Sequence, residues 1–363
     1  ASLGRGMGGG CYDREVVASA TEFSTSAAAR LSTQRELHPD LSPLNRTLTC
    51  GTKSAVVVCF DVTGSMGNWA RVIWDKLPMF YGQIKLQGYL EDPSLSFAAL
   101  GDATSDKAPL QVADFAQGDA LDTALGKIWL EGGGGDVDWP LESYELAAYY
   151  FCRRVRFPNV EDKPFFFVTG DEGFYPAVFA AHVKDFLGDS IPKDIDAPEI
   201  LKELCAKFHV FLLRKAFRQA DIDAVMKHNW EEAIGAERVL DLKDPKAIVD
   251  VMLGAIAMQA GTRSMAEYMA DLSARGQTEE RKSQVTSALA ALASTALPTR
   301  SASSRSAASS STPTTPAPAL SGVGGAPAAG AGAADATALE MTELQKELLK
   351  AQEELAALKA SKS

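Results

Sequence analysis

AVVVCFDVTGSM, residues 55–66, joins six consecutive apolar residues to three side chains that carry oxygen donors. A continuous apolar run of this length is typical of a strand that is covered on both faces, as in the centre of a parallel sheet. At its end Asp61, Thr63 and Ser65 alternate with other residues. This polar end suits two chemistries, a divalent-cation site or an aspartyl nucleophile for phosphoryl transfer.

Five further apolar runs predict the rest of a sheet, and amphipathic helical patterns lie between most of them. Only the second and third runs are joined without a helix, through GDATSDKA (101–108), which predicts a hairpin. We therefore expect an α/β fold of the doubly wound, Rossmann-like kind, with a mostly parallel six-stranded sheet and one antiparallel edge strand. The six predicted strands are 55–60, 95–100, 109–115, 164–169, 208–213 and 238–242.

The helical patterns predict three helical regions. Residues 68–85 form one amphipathic pattern with a period of 3.6, and residues 140–155 form a second. Residues 245–297 predict one long helix or a pair of helices.

Changes in composition divide the chain into a main domain and flanking segments. Residues 1–53 predict an N-terminal arm that packs on the main body, with at most a short helix near 26–36. The domain itself spans 54–261, and a helical extension covers 262–297. Residues 298–336 are rich in Ser, Ala, Pro and Gly without apolar periodicity, which predicts a flexible linker.

Residues 337–363 predict a short C-terminal helix. Thr337 and Glu340 match a capping box, and apolar residues recur in the 3-4 pattern of a coiled coil. Because so short a coiled coil is marginal alone, the pattern favours pairing with a partner helix; a solvated tail helix is the alternative.

Composition limits the classes of partner. Of 363 residues, 46% are hydrophobic and 23% charged, which is typical of a globular chain with one large or two ordinary domains. The formal net charge of −11 argues against nucleic acid or an anionic membrane as the main partner. It suits divalent cations or basic protein surfaces.

Cysteine usage favours a reducing compartment. The five cysteines are odd in number and no Cys-x-x-Cys occurs, so free thiols are the simplest interpretation, with a Cys11–Cys50 bridge as the alternative. Residues 1–10 show no signal-peptide pattern, and the apolar stretch 251–260 is too short to span a bilayer. We therefore expect a cytoplasmic protein with no membrane contact.

Oxygen-donor side chains follow several of the predicted strands. Ligands of open parallel sheets bind at the carboxyl ends of the strands, and there the sequence has acids and hydroxyls but no well-placed His or Cys. Such donors select Mg²⁺, Mn²⁺ or Ca²⁺ rather than zinc. Besides the three residues of the first loop, they are Asp102, then Asp136 and Asp138 in the loop EGGGGDVDWP (131–140), and Thr169, Asp171 and Glu172.

The motif FDVTGSM (60–66) resembles the D-x-[ST]-x-S signature of von Willebrand factor A (VWA) domains, which form the metal-ion-dependent adhesion site (MIDAS). The resemblance covers roughly residues 54 to 260. It implies a non-enzymatic module in which a divalent cation, Mg²⁺ or else Mn²⁺ or Ca²⁺, mediates contact with a protein partner in an intracellular complex. By resemblance, the metal ligands are Asp61, Thr63, Ser65, Asp136 and Asp171.

The second loop departs from many VWA domains. GGGGDVDWPLES (132–143) resembles the GGGDxPE variant of intracellular members, with an Asp-Trp insertion before the proline. The insertion leaves open whether Asp136 or Asp138 reaches the metal. A third carboxylate lowers the net charge at the ion, so we expect tighter metal binding and less avid binding of acidic partner groups.

Two alternatives come from other functional classes. In a haloacid-dehalogenase-like phosphotransferase, Asp61 would be the nucleophile and Lys163 would bind phosphate. GDEGFYP (170–176) lacks the second acid which that family requires, and the Gly-rich loop would have no role. In a scaffold with a vestigial metal site, the tail 337–363 would make the contacts.

Each acidic loop also has a plain structural explanation. Asp61 or Asp136 could cap a helix, and Asp171 could be a solvated loop acid. For Asp102 we prefer that explanation, because a hairpin turn accounts for it.

Overall fold

The computed structural model describes residues 35–134 and 140–295, and within them a six-stranded sheet forms the centre of the fold. The strands are β1 (Ser54–Asp61), β2 (Pro93–Leu100), β3 (Leu110–Val112), β4 (Phe165–Gly170), β5 (His209–Arg214) and β6 (Val239–Asp241). Their order in the sheet is β6-β5-β4-β1-β2-β3, with β3 antiparallel to β2 and every other neighbouring pair parallel. The predicted α/β fold with one antiparallel edge strand is therefore confirmed.

Helices connect these strands and cover the sheet. The longer ones are α1 (Asn68–Lys76), α2 (Pro78–Gln87), α3 (Ala120–Lys127), α4 (Tyr144–Arg153), α5 (Ala197–Lys207), α6 (Ala220–Ile234), α7 (Ile248–Gln259), α8 (Met265–Ala274) and α9 (Glu279–Thr295). Shorter turns are Pro39–Leu41, Ala180–His182 continuing as a π-helix over Val183–Leu187, Ala236–Arg238 and Pro245–Ala247.

Short strand pairs fasten loops to the body. Leu48–Thr49 pairs in parallel with Val155–Arg156, which attaches the described part of the N-terminal arm. Ala177–Val178 pairs antiparallel with Ile195–Asp196. Leu141–Glu142 pairs in parallel with Gly173–Phe174, so the segment before α4 lies beside the loop that follows β4.

The amphipathic pattern over 68–85 corresponds to two helices, because the chain forms α1 and α2 in sequence. Pro78 is the first residue of α2 and has no N–H to continue the hydrogen-bond ladder of α1. The Leu77 N–H still donates to the Ile73 carbonyl at 3.1 Å and ends α1. The apolar period runs through the break, so it did not reveal two helices.

The prediction of one or two helices over 245–297 is wrong, because α7, α8 and α9 are separate. Gly261 follows α7 with a φ of 65°, and Gly276 follows α8 with a φ of 72°; glycine tolerates this left-handed conformation. Ser264 and Glu267 form a capping box that starts α8.

The two faces of the sheet carry separate apolar cores. Val56, Val58 and Phe60 of β1 face α1, α2, α3 and α7, whereas Val57 and Cys59 face α4, α5 and α6. Both faces of β1 are thus covered, which explains its continuous apolar run. Helices α8 and α9 in turn cover α7, whose residues are almost all buried.

Several sequence predictions fall outside the described residues. They include the linker 298–336, the helix 337–363, the possible helix near 26–36 over most of its length, and the loop positions Asp136 and Asp138. In the part of the chain that the structure describes, we find no helix with the length and apolar character needed to cross a membrane.

Candidate metal site

The candidate site lies at the topological switch point of the sheet, where the strand order reverses. From β1 the chain proceeds to β2 and β3 on one side, and then returns to place β4 on the other side of β1. Phe60 is opposite Thr169 in the parallel β1–β4 pair, so Asp61 at the end of β1 comes next to Asp171 just after β4. Crevices at such switch points are the usual ligand sites of doubly wound sheets.

Asp61 is fully buried and both of its carboxyl oxygens have partners. Oδ1 accepts hydrogen bonds from the Thr63 N–H at 2.8 Å and from the Thr63 hydroxyl at 2.6 Å. Oδ2 accepts one from the Tyr144 hydroxyl at 3.0 Å. Residue 170 must be glycine for this contact, because a Cβ there would lie 1.7 Å from the Tyr144 hydroxyl oxygen.

A chain of oxygen atoms leads from Asp61 to Asp171. The Thr63 hydroxyl lies 2.6 Å from Asp61 Oδ1, the Thr63 and Ser65 hydroxyl oxygens are 3.1 Å apart, and the Ser65 hydroxyl lies 2.8 Å from Asp171 Oδ1. These three contacts share only two hydroxyl hydrogens. With both carboxylates ionised, one contact must therefore bring lone pairs together without a hydrogen between them. A proton or a cation would relieve that repulsion.

Burial, together with the charges of neighbouring acids, raises the pKa of three acids at this edge. Burial raises the pKa of Asp61 to about 7, against the lowering effect of the Thr63 hydrogen bonds, and the charges of Asp171 and Glu172 add to the rise. Burial, followed by the charge of Asp171, also raises the pKa of Glu172 to about 7. For Glu142, burial and then the charges of Asp61 and Glu172 raise the pKa to about 12.

The glycine-rich loop lies against the loop that follows β1. The Gly64 N–H donates to the Gly133 carbonyl at 2.6 Å, and the Gly132 N–H donates to the Val62 carbonyl at 3.0 Å. A Cβ at Gly64 would lie 3.2 Å from the carbonyl oxygens of Gly132 and Gly133. The two backbones can therefore approach this closely because residue 64 has no side chain.

Of the predicted ligands, the structure brings Asp61, Thr63, Ser65 and Asp171 together. Asp136 lies outside the described residues. Across residues 35–134 and 140–295, no group of three or more His, Cys, Asp or Glu side chains is arranged to hold a metal ion. The described part of the predicted ligand set is of another kind, since it combines two carboxylates with two hydroxyls.

Glu142 is an acid at this edge that the sequence analysis did not single out. It is buried, and its Oε2 has no hydrogen-bond partner within the described residues. A Cβ at Gly134 would lie 3.2 Å from Glu142 Oε1 and 3.3 Å from Thr63 Cβ, so Glu142 is close to the first loop. Glu142 is two residues after Pro140, whereas the glutamate of the GGGDxPE pattern directly follows the proline, so that pattern did not single it out.

Lys215 is the second residue that was missed. Its Nζ donates to Asp171 Oδ2 and to the Ser65 carbonyl, both at 2.6 Å. Lys215 directly follows β5, and its backbone N–H donates to the Gly170 carbonyl at 3.0 Å. No motif or spacing distinguishes this lysine from an ordinary surface residue at a strand end.

A cleft of about 360 Å³ opens at this edge. Its lining includes Lys215, Phe217 and Arg218, with the Arg218 guanidinium over the Phe217 ring. It also includes the acids Glu142, Asp171 and Glu172.

Two further candidate residues, Asp102 and Lys163, have structural roles. Asp102 is buried and accepts hydrogen bonds from the Thr104 N–H at 2.9 Å and from the Tyr175 hydroxyl at 3.0 Å, in keeping with a turn role. Lys163 precedes β4 and so lies at the amino end of the parallel strands, whereas Asp61 lies at their carboxyl end. The Lys163 Nζ donates to the Cys205 carbonyl. The prediction that Lys163 binds phosphate beside Asp61 is therefore wrong.

Comparison of the chain with protein-family models and with curated proteins finds no match. Among solved structures, it is similar to the pilus adhesin SpaC from Lactobacillus rhamnosus GG, with 10% identity and a TM-score of 0.39 over 59% of this chain and 32% of the adhesin. It is also similar to proximal thread matrix protein 1 (PTMP1) from the mussel byssus, with 10% identity and a TM-score of 0.39 over 58% of this chain and 48% of that one. The chain thus spans about a third of the adhesin and about half of the mussel protein. Similarity at this level assigns neither family nor function.

Proposed function

We propose that the carboxyl edge of β1 and β4 is a divalent-cation site of the MIDAS type in a VWA-like domain, and that the chain binds a protein partner through the ion. The ion would be Mg²⁺, or else Mn²⁺ or Ca²⁺. In this proposal the module is not an enzyme and acts in a cytoplasmic protein complex. The resemblance of residues 60–66 to the family signature motivates it.

The observation that carries the proposal is the chain of oxygens from Asp61 to Asp171. Its three contacts share two hydroxyl hydrogens, and burial raises the pKa of Asp61. With both carboxylates ionised, the first fact leaves one contact without a hydrogen, and the second makes the ionised form of Asp61 costly, so a cation bound here would relieve both. Hard oxygen donors of this kind suit Mg²⁺, Mn²⁺ or Ca²⁺.

The side chains that would hold the ion are Asp61, Thr63, Ser65 and Asp171, with Asp136 as the proposed ligand of the second loop. When bound, the ion supplies positive charge at the surface to which an acidic group of a partner can bind. The protein's own residues fix the donors in place: Tyr144 orients Asp61, and the contact of Gly64 with Gly133 holds the two loops together.

Metal binding is tested by melting the full-length chain in chelator and then with added Mg²⁺ or Mn²⁺. A ligand that binds only the folded state raises the melting temperature, and we expect this rise to disappear in Asp61→Asn. Asp102→Asn is the matched control. Asp102 is also buried near a strand end, and it also accepts a hydrogen bond from the N–H of a threonine two residues later, Thr104. An equal rise in wild type and Asp61→Asn would contradict the proposal.

Partner binding is tested by affinity capture with and without chelator, followed by identification of the retained proteins. We expect chelator and Asp61→Asn to release the same partner. Capture that survives both changes, and is lost on deletion of residues 337–363, would support the scaffold alternative instead. Hydrolysis of a phosphomonoester by the wild type that is lost in Asp61→Asn would support the phosphotransferase.

A further inference from the structure

Lys215 places its positive charge beside Asp171, a residue of the proposed metal site. Its Nζ lies 2.6 Å from Asp171 Oδ2, while the other oxygen of that carboxylate accepts the Ser65 hydroxyl at 2.8 Å. The Lys215 side chain is 24% exposed, and Asp171 is buried. The lysine thus reaches from the cleft into the site and neutralises one of its buried acids.

We propose that Lys215 is an intramolecular competitor of the divalent cation: its ammonium group pairs with Asp171 in the metal-free chain, and the ion binds by displacing it. This inference rests on the proposed metal site and adds a residue that sets its affinity. The competition follows from charge, because an ammonium group and a divalent ion repel each other at close range and seek the same carboxylate.

The geometry allows the side chain to leave while the backbone stays. The Lys215 N–H is bonded to the Gly170 carbonyl at 3.0 Å, which fixes the main chain beside β4. Only the four-carbon stem has to rotate, and the cleft of about 360 Å³ that Lys215 lines gives it room. The released ammonium group would then join Arg218 on the wall of the cleft, where an acidic partner group would meet both.

The first test is calorimetric titration of Mg²⁺ and Mn²⁺ into full-length wild type and Lys215→Met. We expect the variant to bind the ion roughly tenfold more tightly or better, because the competing charge is gone and Asp171 Oδ2 has lost its charged partner. For the second reason, the variant should also melt at a lower temperature in chelator and show a larger rise with metal. Lys227→Met is the matched control, because Lys227 pairs with Asp241 and does not line the cleft.

The second test uses the wild type, so it does not depend on a variant that folds. Lysines are acetylated with acetic anhydride, with and without Mg²⁺, and modification is measured peptide by peptide by mass spectrometry. Displacement predicts faster acetylation of Lys215 with metal and an unchanged rate at Lys227.

The outcomes separate this inference from the proposed function. Equal metal affinity in wild type and Lys215→Met, or acetylation of Lys215 that metal leaves unchanged or slows, overturns the competition and leaves the metal site intact. Absence of metal binding in both chains overturns the metal site and the competition together.

Discussion

The hydroxyl of Tyr144 donates a hydrogen bond to Asp61 across the end of the sheet, and so joins the first residue of α4 to the last residue of β1. Both residues are buried, and the phenol is the partner of Asp61 Oδ2. A buried carboxylate oxygen without a partner is costly. Tyr144 therefore positions the acid from which the proposed metal site starts.

Tyr144→Phe tests this role. We expect a loss of about 1–3 kcal/mol in the free energy of unfolding, because the substitution leaves a buried acceptor without its donor. We also expect a smaller metal-induced rise in melting temperature, because the neutral phenol does not compete with the ion and its loss leaves Asp61 less well positioned. Urea unfolding in chelator measures the first effect, and melting with and without Mg²⁺ measures the second.

Tyr150→Phe is the matched control on the same helix. Tyr150 is fully buried, and its hydroxyl has no hydrogen-bond partner within residues 35–134 and 140–295. Removal of that hydroxyl should leave stability unchanged or raise it, because a buried polar group is lost without breaking a bond. A similar loss of unfolding free energy in both variants would show that the hydrogen bond from Tyr144 to Asp61 does not contribute to stability.

Gly170→Ala tests the close approach of β4 to Tyr144. The new Cβ would lie 1.7 Å from the tyrosine hydroxyl oxygen and 2.7 Å from Cζ, so the ring has to move. We expect destabilisation of about 1–3 kcal/mol, as for other overpacked core positions, together with a reduced metal response. Gly51→Ala is the control, since a Cβ there meets nothing within 4 Å. Equal denaturation midpoints for the two variants would rule out the clash.

The ion pair between Arg275 and Asp250 tests how α8 is attached to α7. The two side chains are each 8% exposed, and their closest charged atoms are 3.5 Å apart. Arg275→Met should cost about 3–5 kcal/mol, because it leaves a buried carboxylate without its partner. The double variant Arg275→Met/Asp250→Asn should recover part of that loss.

An exposed pair provides the comparison. Lys53 and Glu91 are 2.8 Å apart with side chains that are 43% and 73% exposed. We expect Lys53→Met to change the free energy of unfolding by less than about 1 kcal/mol. If it costs as much as Arg275→Met, burial is not what makes the α7–α8 pair important.

His209 gives a prediction about pH. Burial lowers the pKa of His209 from 6.5 to about 4, and the positive charges of Lys163 and Arg238 add to the lowering. Between these values the unfolded chain binds a proton that the folded chain does not, so this residue's contribution to stability falls as the pH decreases from about 6.5 to about 4.

The measurement is the melting temperature from pH 7.5 to pH 4 for wild type, His209→Gln and His228→Gln. The His209 variant should lose less stability on acidification than the wild type. His228 lies on α6 with its side chain 44% exposed, and its variant is the control for replacing an exposed histidine. A His209→Gln curve parallel to that of the wild type would refute the assignment.

The sheet was predictable because its strands are covered on both faces. The apolar runs at 55–60, 164–169 and 208–213 differ by a residue or so at each end from β1, β4 and β5. Helix ends were less predictable. Pro78 starts a new helix without interrupting the apolar period, and the two-residue strands are too short to produce any pattern.

The site was predictable where the topology determines position. Parallel neighbours end at the same edge, so the juxtaposition of Asp61 and Asp171 follows from strand order alone. Strand order does not predict that Lys215 and Glu142 lie at the same site. Lys215 is held there by its backbone hydrogen bond to Gly170, and Glu142 by the pairing of Leu141–Glu142 with Gly173–Phe174. These are tertiary contacts without a local sequence signal.

The central place of β1 in the sheet has a consequence for how the chain matures during synthesis. β1 is made before the other five strands; β2 and β3 follow closely, whereas β4 begins only at Phe165. Strands that are far apart in the sequence pair slowly, because the entropy of loop closure is lost before the stabilising contacts form. A nascent chain can thus present Asp61, Thr63 and Ser65 long before Asp171 exists beside them. In the proposed site, a partner that requires all four would recognise only the finished fold, so partner binding would itself report that folding is complete.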